Sequence, residues 1–283
     1  MPTLQTKIDF AVVLRVDHAN PNGDPLNGNR PRTDYNGFGE ITDVCLKRKM
    51  RDRLQELGEA IFVQSNDRRN DSAKCLRERA EKALGNKLSS IEQTVEAAST
   101  TWFDVRAFGQ IFPFKKKGKA KDDEGEGGGV SIPIRGPVTV RSAFSVQPVQ
   151  GEIVSTQITK SVNLEGDSDL KRSSDTVGMK HRVDHGIYVF FGAMNPQLAE
   201  KTLFSDNDAE AIKRVLPRLF ENDASSARPE GSMEVLKVVW WKHNCKPGRY
   251  SSAKVHRSLT VKPDGGIELA PLEGLDPEVI DGF

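Results

Sequence analysis

The residues best suited to chemistry lie between Asn20 and Arg53. Asn20-Pro21-Asn22-Gly23-Asp24 and Asn27-Gly28-Asn29-Arg30-Pro31-Arg32 supply side-chain amides, backbone N–H groups and guanidiniums. A little further on, Lys47, Arg48, Lys49, Arg51 and Arg53 crowd one stretch in which Asp52 is the only acid. Lysine and arginine grip phosphates, while amides and backbone donors fix register along a nucleic-acid strand. A run of charge is more often a solvated helix face. Here the charges are nearly all of one sign, which costs an isolated helix stability. The pattern therefore points to a groove for a nucleic-acid backbone.

Other chemistry fits poorly. Asn20 to Asp24 resembles half of a calcium loop, but the glycine comes too early and Pro31 stands where a glutamate belongs. His181 and His185 are four apart in a segment expected to be strand or flap, where that spacing does not converge on a metal. There is no GxSxG, P-loop or HExxH sequence. His18 is the only histidine near the basic segment, and no second acid–base group accompanies it. Cys45, Cys75 and Cys245 are odd in number and far apart, so neither a zinc site nor a disulfide framework is indicated. No cofactor is expected.

Composition leaves the partner open. The chain has 283 residues, 29% of them charged, with 41 basic against 40 acidic and a net charge of +1. Mean hydropathy is −0.52. This suits a globular protein with much wet surface. What matters is where the cations gather rather than their sum. The chain shows neither a signal pattern nor an apolar run long enough to span a membrane, so a cytoplasmic setting is expected.

The elements that must position these residues can be read along the chain. Ile8 to Val16 is β-branched and apolar, a central strand. The Asn/Gly/Pro-rich stretch after it is a long irregular loop of the functional kind. Thr42 is a natural N-cap with Asp43 in the first turn. Leu46, Met50, Leu54 and Leu57 then form a buried stripe opposite a densely positive face, and Gly58 stops the helix. Ala60 to Val63 reads as a short strand, and polar helices follow over about Asn70 to Leu84 and Ser90 to Ala98. Trp102 to Phe112 is strand-like or tightly packed. Lys115 to Gly129 has blocks of opposite charge and a glycine run, so it should be a disordered insertion. Strands are expected over Ile132 to Val149, Ile153 to Val162, Gly186 to Met194, Met233 to Trp241 and Val255 to Val261. A helix is expected over Asp206 to Glu221, broken near Pro217. Asn163 to Asp184 reads as a projecting flap. Trp240 and Trp241 should point to opposite faces, one to the core and the other free to stack on a base, with burial favoured for both. No internal repeat is apparent. The order suits an α+β sandwich with a largely antiparallel sheet, as in RRM-like folds, carrying large insertions.

Several segments together carry a resemblance. NPNGDPLNGNRPRTD after the first strand and TDVCLKRKMR on the helix are similar to the opening of the type I-C CRISPR Cascade backbone subunits. WFDVRAFG, IPIRGPVTVRSAFSVQPV and GMKHRVDHGIYVFFGAMNP continue the match in order and spacing. The resemblance implies a single RRM-like (ferredoxin-like) palm over residues 1–283. Within it come a helical finger insertion at about 59–112, a disordered loop at about 113–130 and a β-hairpin thumb at about 161–184. It implies a non-catalytic scaffold that coats CRISPR guide RNA as a helical filament and presents the spacer to target DNA in antiviral defence. Its partners would be guide RNA, copies of itself, and the guide-processing, large and small subunits. Residue by residue, the resemblance puts Lys47, Arg48 and Arg51 on the RNA backbone, flanked by Asn20, Asn22, Asn29, Arg30 and Arg32. It places Arg135 and Arg141 on the palm, Met179 as an apolar wedge in the thumb, and Lys180 and Arg182 beside the guide. A protein that accepts any spacer should grip phosphate and sugar and leave sequence to base pairing. The competing readings are a guide-processing ribonuclease of the same fold, with His18 as acid–base, and a general single-strand-binding module.

Overall fold

The first strand has apolar residues on both sides of its pleat, which suits only a position between two other strands and two covering layers. The computed structural model describes residues 2–114, 130–160 and 176–283. It places β1 (Ile8–Ala19) there. The Asn/Gly-rich stretch folds into a small ladder of β2 (Gly23–Asp24) and β3 (Arg30–Pro31), followed by β4 (Phe38–Ile41). It is therefore ordered by strand pairing rather than an irregular loop. Next come α1 (Asp43–Glu56), α2 (Leu76–Leu84), α3 (Ile91–Thr101), α4 (Phe103–Phe108), β5 (Gly109–Phe114) and β6 (Val130–Arg135). The chain continues through β7 (Val138–Val140), β8 (Ala143–Pro148), β9 (Ile153–Lys160), β10 (Thr176–Met194), α5 (Pro196–Thr202) and α6 (Asp206–Val215). It ends with β11 (Met233–Lys242), α7 (Ser252–Arg257), β12 (Leu259–Val261), β13 (Ile267–Leu269) and β14 (Glu278–Asp281).

The main sheet runs in the order β14-β11-β1-β10-β8-β4, with antiparallel ladders throughout and with β7 and β9 also paired to β10. One face packs on α1 and α6. Phe10, Val12, Leu14, Tyr188, Phe190 and Trp240 meet Leu46, Met50 and Leu54 of α1 and Ala209, Ile212 and Val215 of α6 in one core. Phe10 stacks on Trp240 with ring centres 5.7 Å apart and meets Phe190 edge-on at 6.5 Å. Gly192 lies opposite Phe10 in the ladder, and a Cβ there would come 2.1 Å from the ring, so no larger residue fits.

The second face is covered as well. Ala11, Val239 and Trp241 pack under Val255 of α7, Leu259 of β12 and Leu275. Trp240 and Trp241 thus enter opposite cores, and neither is left to stack on a base. The sequence suggested only one strand at Val255 to Val261. Instead Ser251 caps α7 by accepting from Lys254 N, and β12 starts after it.

The insertion between α1 and β7 has its own small core. Phe62, Trp102 and Phe112 gather with ring centres 4.5 to 6.3 Å apart, joined by Ala80 and Leu84 of α2, Ala97 and Ala98 of α3, and Ile132 and Ile134 of β6. Ala60 to Val63 forms no strand. Trp102 to Phe112 is α4 followed by β5. The switch is made at Gly109, whose φ of 79° and closeness to the Ile134 carbonyl admit no side chain. Helix α6 stops at Val215 and passes into one 3₁₀ turn across Pro217. Residues 115–129, expected as a loop, and 161–175, most of the expected thumb, lie outside the described residues. The ladder of β9 and β10 leads up to the second gap, from Val183↔Ile153 to Thr176↔Lys160. Among the described residues, no helix is long and apolar enough to cross a membrane.

Candidate nucleic-acid interface

Helix α1 forms as expected at its start: Thr42 Oγ1 accepts from Cys45 N, and Asp43 occupies the first turn. Its open positive face does not materialise. Nearly every cation on it is taken up by a carboxylate. Lys47 Nζ lies 3.0 Å from Asp43 Oδ2, and Arg48 Nη1 lies 3.2 Å from Asp52 Oδ1. Lys49 is buried on Asp223, and Arg53 is buried beside Glu56 at 2.7 Å. Arg51 is only 12% exposed, with Nε 2.9 Å from Asp104 Oδ2 and its guanidinium 5.1 Å from the Phe108 ring centre. Burial pulls the Arg51 pKa down from its usual value, while Asp104 opposes that shift. The helix is packed on both long faces: on the sheet on one side and on the 59–112 insertion on the other. Leu57, expected in the buried stripe, is instead half-exposed beyond the last turn.

The loop residues divide into those that build it and those that project from it. Asn20 is buried, donates through Nδ2 to the Asn29 carbonyl at 2.8 Å, and has its backbone N–H on Ala227 O. Asn22 Oδ1 accepts from both the N–H and the hydroxyl of Thr42, at 3.0 and 2.9 Å, so it braces the helix cap. Arg32 Nη2 lies 3.4 Å from Asp24. Asn29 is exposed at a left-handed φ of 60°, and Arg30 Nη1 donates to Ser155 Oγ of β9 at 3.3 Å. That hydroxyl also meets His181 Nδ1 of β10 at 2.8 Å. One polar chain thus ties the β2–β3 loop to the β9–β10 ladder.

The cations left open are elsewhere. Arg135 on β6 and Arg141 after β7 are exposed, the latter 5.9 Å from the Phe191 ring centre. Lys180 and Met179 are exposed on β10, and Arg182 is half-exposed with Nε on Asp184 at 2.9 Å. The structure thus brings Asn29 and Arg30 close to the base of the β9–β10 ladder, and it separates Arg51 from solvent. Two histidines at that base have carboxylate partners that sequence reading did not supply: His18 with Asp184 and His185 with Asp17. Tyr35 was also missed. It projects fully from a turn in which Asp34 Oδ1 accepts from Asn36 N and Phe38 N, each at 2.9 Å. An Asp-x-Asn-Gly turn with an aromatic at its tip was the available signal.

The fold is thus an antiparallel α+β sheet covered on both faces, with Lys180 and Arg182 on its β9–β10 ladder and Arg135 and Arg141 near β7 in sequence. The chain belongs to the CRISPR-associated protein Cas7 family, whose model matches residues 6–275. It is 29% identical over 293 residues to a CRISPR-associated protein Cas7 of Haloferax volcanii, a match spanning 99% of this chain and 82% of that one. Among solved structures it is similar to a chain of a "CRISPR RNA-guided surveillance complex, pre-nicking", with a TM-score of 0.44 and 13% identity over 83% of this chain and 78% of the other. A chain of another CRISPR RNA-guided surveillance complex aligns with a TM-score of 0.39 and 15% identity, over 83% and 69% of the two chains.

Proposed function

We propose that this protein is a non-catalytic scaffold subunit that binds CRISPR guide RNA as repeated copies in a type I-C Cascade complex. In that complex it presents the spacer for pairing with target DNA in antiviral defence. The observation that carries the reading is family membership over residues 6–275. The grouping of Arg30, Lys180 and Arg182 about the β9–β10 ladder is in keeping with it. The palm is an RRM-like sheet: the order β11-β1-β10-β8, with α1 and α6 on one face, supports that assignment. The β9–β10 ladder is in keeping with a hairpin thumb, and the core around Phe62 and Trp102 with a finger insertion. Target DNA is met through the guide, and the guide-processing, large and small subunits are its companions in the cytoplasm.

Size-exclusion chromatography with light scattering, run with and without guide-length RNAs of unrelated spacer sequence, tests this. The expected result is an RNA-dependent multimer with similar stoichiometry for every spacer. A monomer with every RNA sinks the proposal. His18 now has an acidic partner in Asp184, so the ribonuclease reading merits one direct assay. Cleavage of repeat-hairpin RNA that is lost in His18→Ala would replace the scaffold reading.

A further inference from the structure

Arg15-Val16-Asp17-His18, near the end of β1, recurs residue for residue as Arg182-Val183-Asp184-His185 in β10. The repeat is four residues long, far shorter than a whole element. The two copies lie on neighbouring antiparallel strands, with Asp17 opposite His185 and Ala19 opposite Val183. Antiparallel pairing of identical segments about a shared midpoint produces a local twofold, so each aspartate meets the other copy's histidine. His185 Nδ1 lies 2.6 Å from Asp17 Oδ1, and His18 Nδ1 lies 3.3 Å from Asp184 Oδ1. Each carboxylate is also held by the arginine of its own copy: Arg15 Nε at 2.8 Å from Asp17 and Arg182 Nε at 2.9 Å from Asp184. Two features break the symmetry. Glu234 of β11 takes Arg15 Nη2 at 2.5 Å, and His18 has a left-handed φ of 52°.

A cross-strand staple alone would account for the two His–Asp contacts, but it leaves the rest of the cluster unused. The rings are 68% and 54% exposed at His18 and His185. Each spends Nδ1 on its carboxylate, and Nε2 of each has no partner among the described residues. Arg182 likewise spends only Nε. The charge balance depends on the rings. With both imidazoles neutral, Arg15 and Arg182 face Asp17, Asp184 and Glu234, a surplus of one negative charge. With both protonated, the surplus is one positive charge. Arg182 and, more weakly, His18 hold the Asp184 carboxyl below its usual range. Around the cluster, Lys180 stands further along β10. His181 of β10 and Arg30 of β3 converge on Ser155 of β9.

We propose that this twofold cluster is a proton-gated anion site that accepts the phosphodiester of single-stranded RNA once His18 and His185 are protonated, each then donating from Nε2 to a phosphate oxygen. The inference rests on the RNA-binding reading above. Histidine is the side chain whose ordinary titration falls in the physiological range, and a phosphate held by imidazolium favours the proton in return. RNA uptake and proton uptake are thereby coupled at this one place on the sheet.

Fluorescence anisotropy of a labelled oligouridylate with the full chain, at constant salt and at about pH 6 and about pH 8, tests the coupling. The expected result is roughly tenfold tighter binding at the lower pH. The double variant His18→Gln, His185→Gln should match the parent at the higher pH and lose that gain, and each single variant should lose part of it. The singles also serve if the double variant fails a thermal-melt check for folding. A gain that persists in the folded variants comes from the general rise in positive charge and overturns the proposal. So does a parent that binds equally at both pH values, which leaves the scaffold reading standing. No binding at either pH overturns both.

Discussion

Arg51 and Asp104, 53 residues apart in sequence, form a buried ion pair in which Asp104 Oδ2 accepts from Arg51 Nε at 2.9 Å. Asp104 is 1% exposed and also accepts from the backbone N–H groups of Phe62 and Val63, at 2.7 and 3.0 Å. One carboxylate thus joins α1, α4 and the segment between them, and it fixes the insertion to the helix that the sequence had marked as an RNA grip.

Removing one partner of such a pair leaves the other buried and uncompensated, a loss of about 3–5 kcal/mol. Asp104→Ala should therefore lower the urea midpoint sharply. A shift of under about 1 kcal/mol would show that the pair does not hold the insertion in place.

Asn22→Ala separates bracing from binding. It removes two acceptor contacts from the Thr42 cap and should cost about 1–2 kcal/mol in chemical denaturation. The salt dependence of RNA binding should stay as in the parent. A flatter slope would return Asn22 to the interface.

Arg30→Ala with Lys180→Ala should do the reverse. Binding should weaken by a similar factor for every spacer sequence, with the log–log salt slope falling by roughly 0.7 per lost phosphate contact. Titrations of several unrelated RNAs at a series of salt concentrations measure this. Sequence-dependent losses would point to base contacts instead.

Asp9 sets an acid limit on the fold. Burial alone would raise its pKa, but hydrogen bonds from His243, His256 and Ser252 and the charge on Lys7 outweigh burial and hold it well below the usual carboxylate range. His243 Nε2 lies 2.9 Å from Asp9 Oδ2, while His243 Nδ1 accepts from Arg249 N. The folded pKa is the lower one, so this carboxylate contributes stability that is fully present above about pH 4 and lost as the pH falls towards its folded value. Asp9→Asn should be less stable than the parent near neutrality, with the gap narrowing in acid. Denaturant midpoints at about pH 7 and about pH 3 check the sign.

The 115–129 insertion should be dispensable for folding. Its flanks are already paired, from Gly109↔Arg135 to Phe114↔Val130, so a short turn can join them. Replacing 115–129 by a four-residue turn should leave the melting temperature nearly unchanged, and insoluble protein would contradict this.

Local signals were legible in the chain. The Thr42 cap, the apolar run of β1 and the aromatic strand ending at Met194 all depend on neighbours a few residues away. What stayed hidden depends on distance. The charges on α1 read as one-sided because the acids that quench them, Asp104 and Asp223, come from remote segments, and Asp43 and Asp52 are outnumbered locally. The second layer over Trp241 was hidden because α7, β12 and β13 are short and only weakly patterned. The His18–Asp184 and His185–Asp17 pairs could be seen only once β1 and β10 were known to be neighbours.

Strand β10 is 19 residues long, and one backbone serves both the core and the outer ladder with β9. From Val183 to Met194 it is clamped beside β1, and from Arg182 back to Thr176 it extends as a cantilever. At about 3.3 Å per residue, the described overhang is on the order of 25 Å. Its reach is then a matter of residue count. Adding two residues to each strand of the ladder would lengthen the arm by about 7 Å and, because side chains alternate with period two, keep every face as it was. Under the proposed scaffold role, lengthening the arm alters the span of RNA that one subunit covers while the anchored core stays as it is.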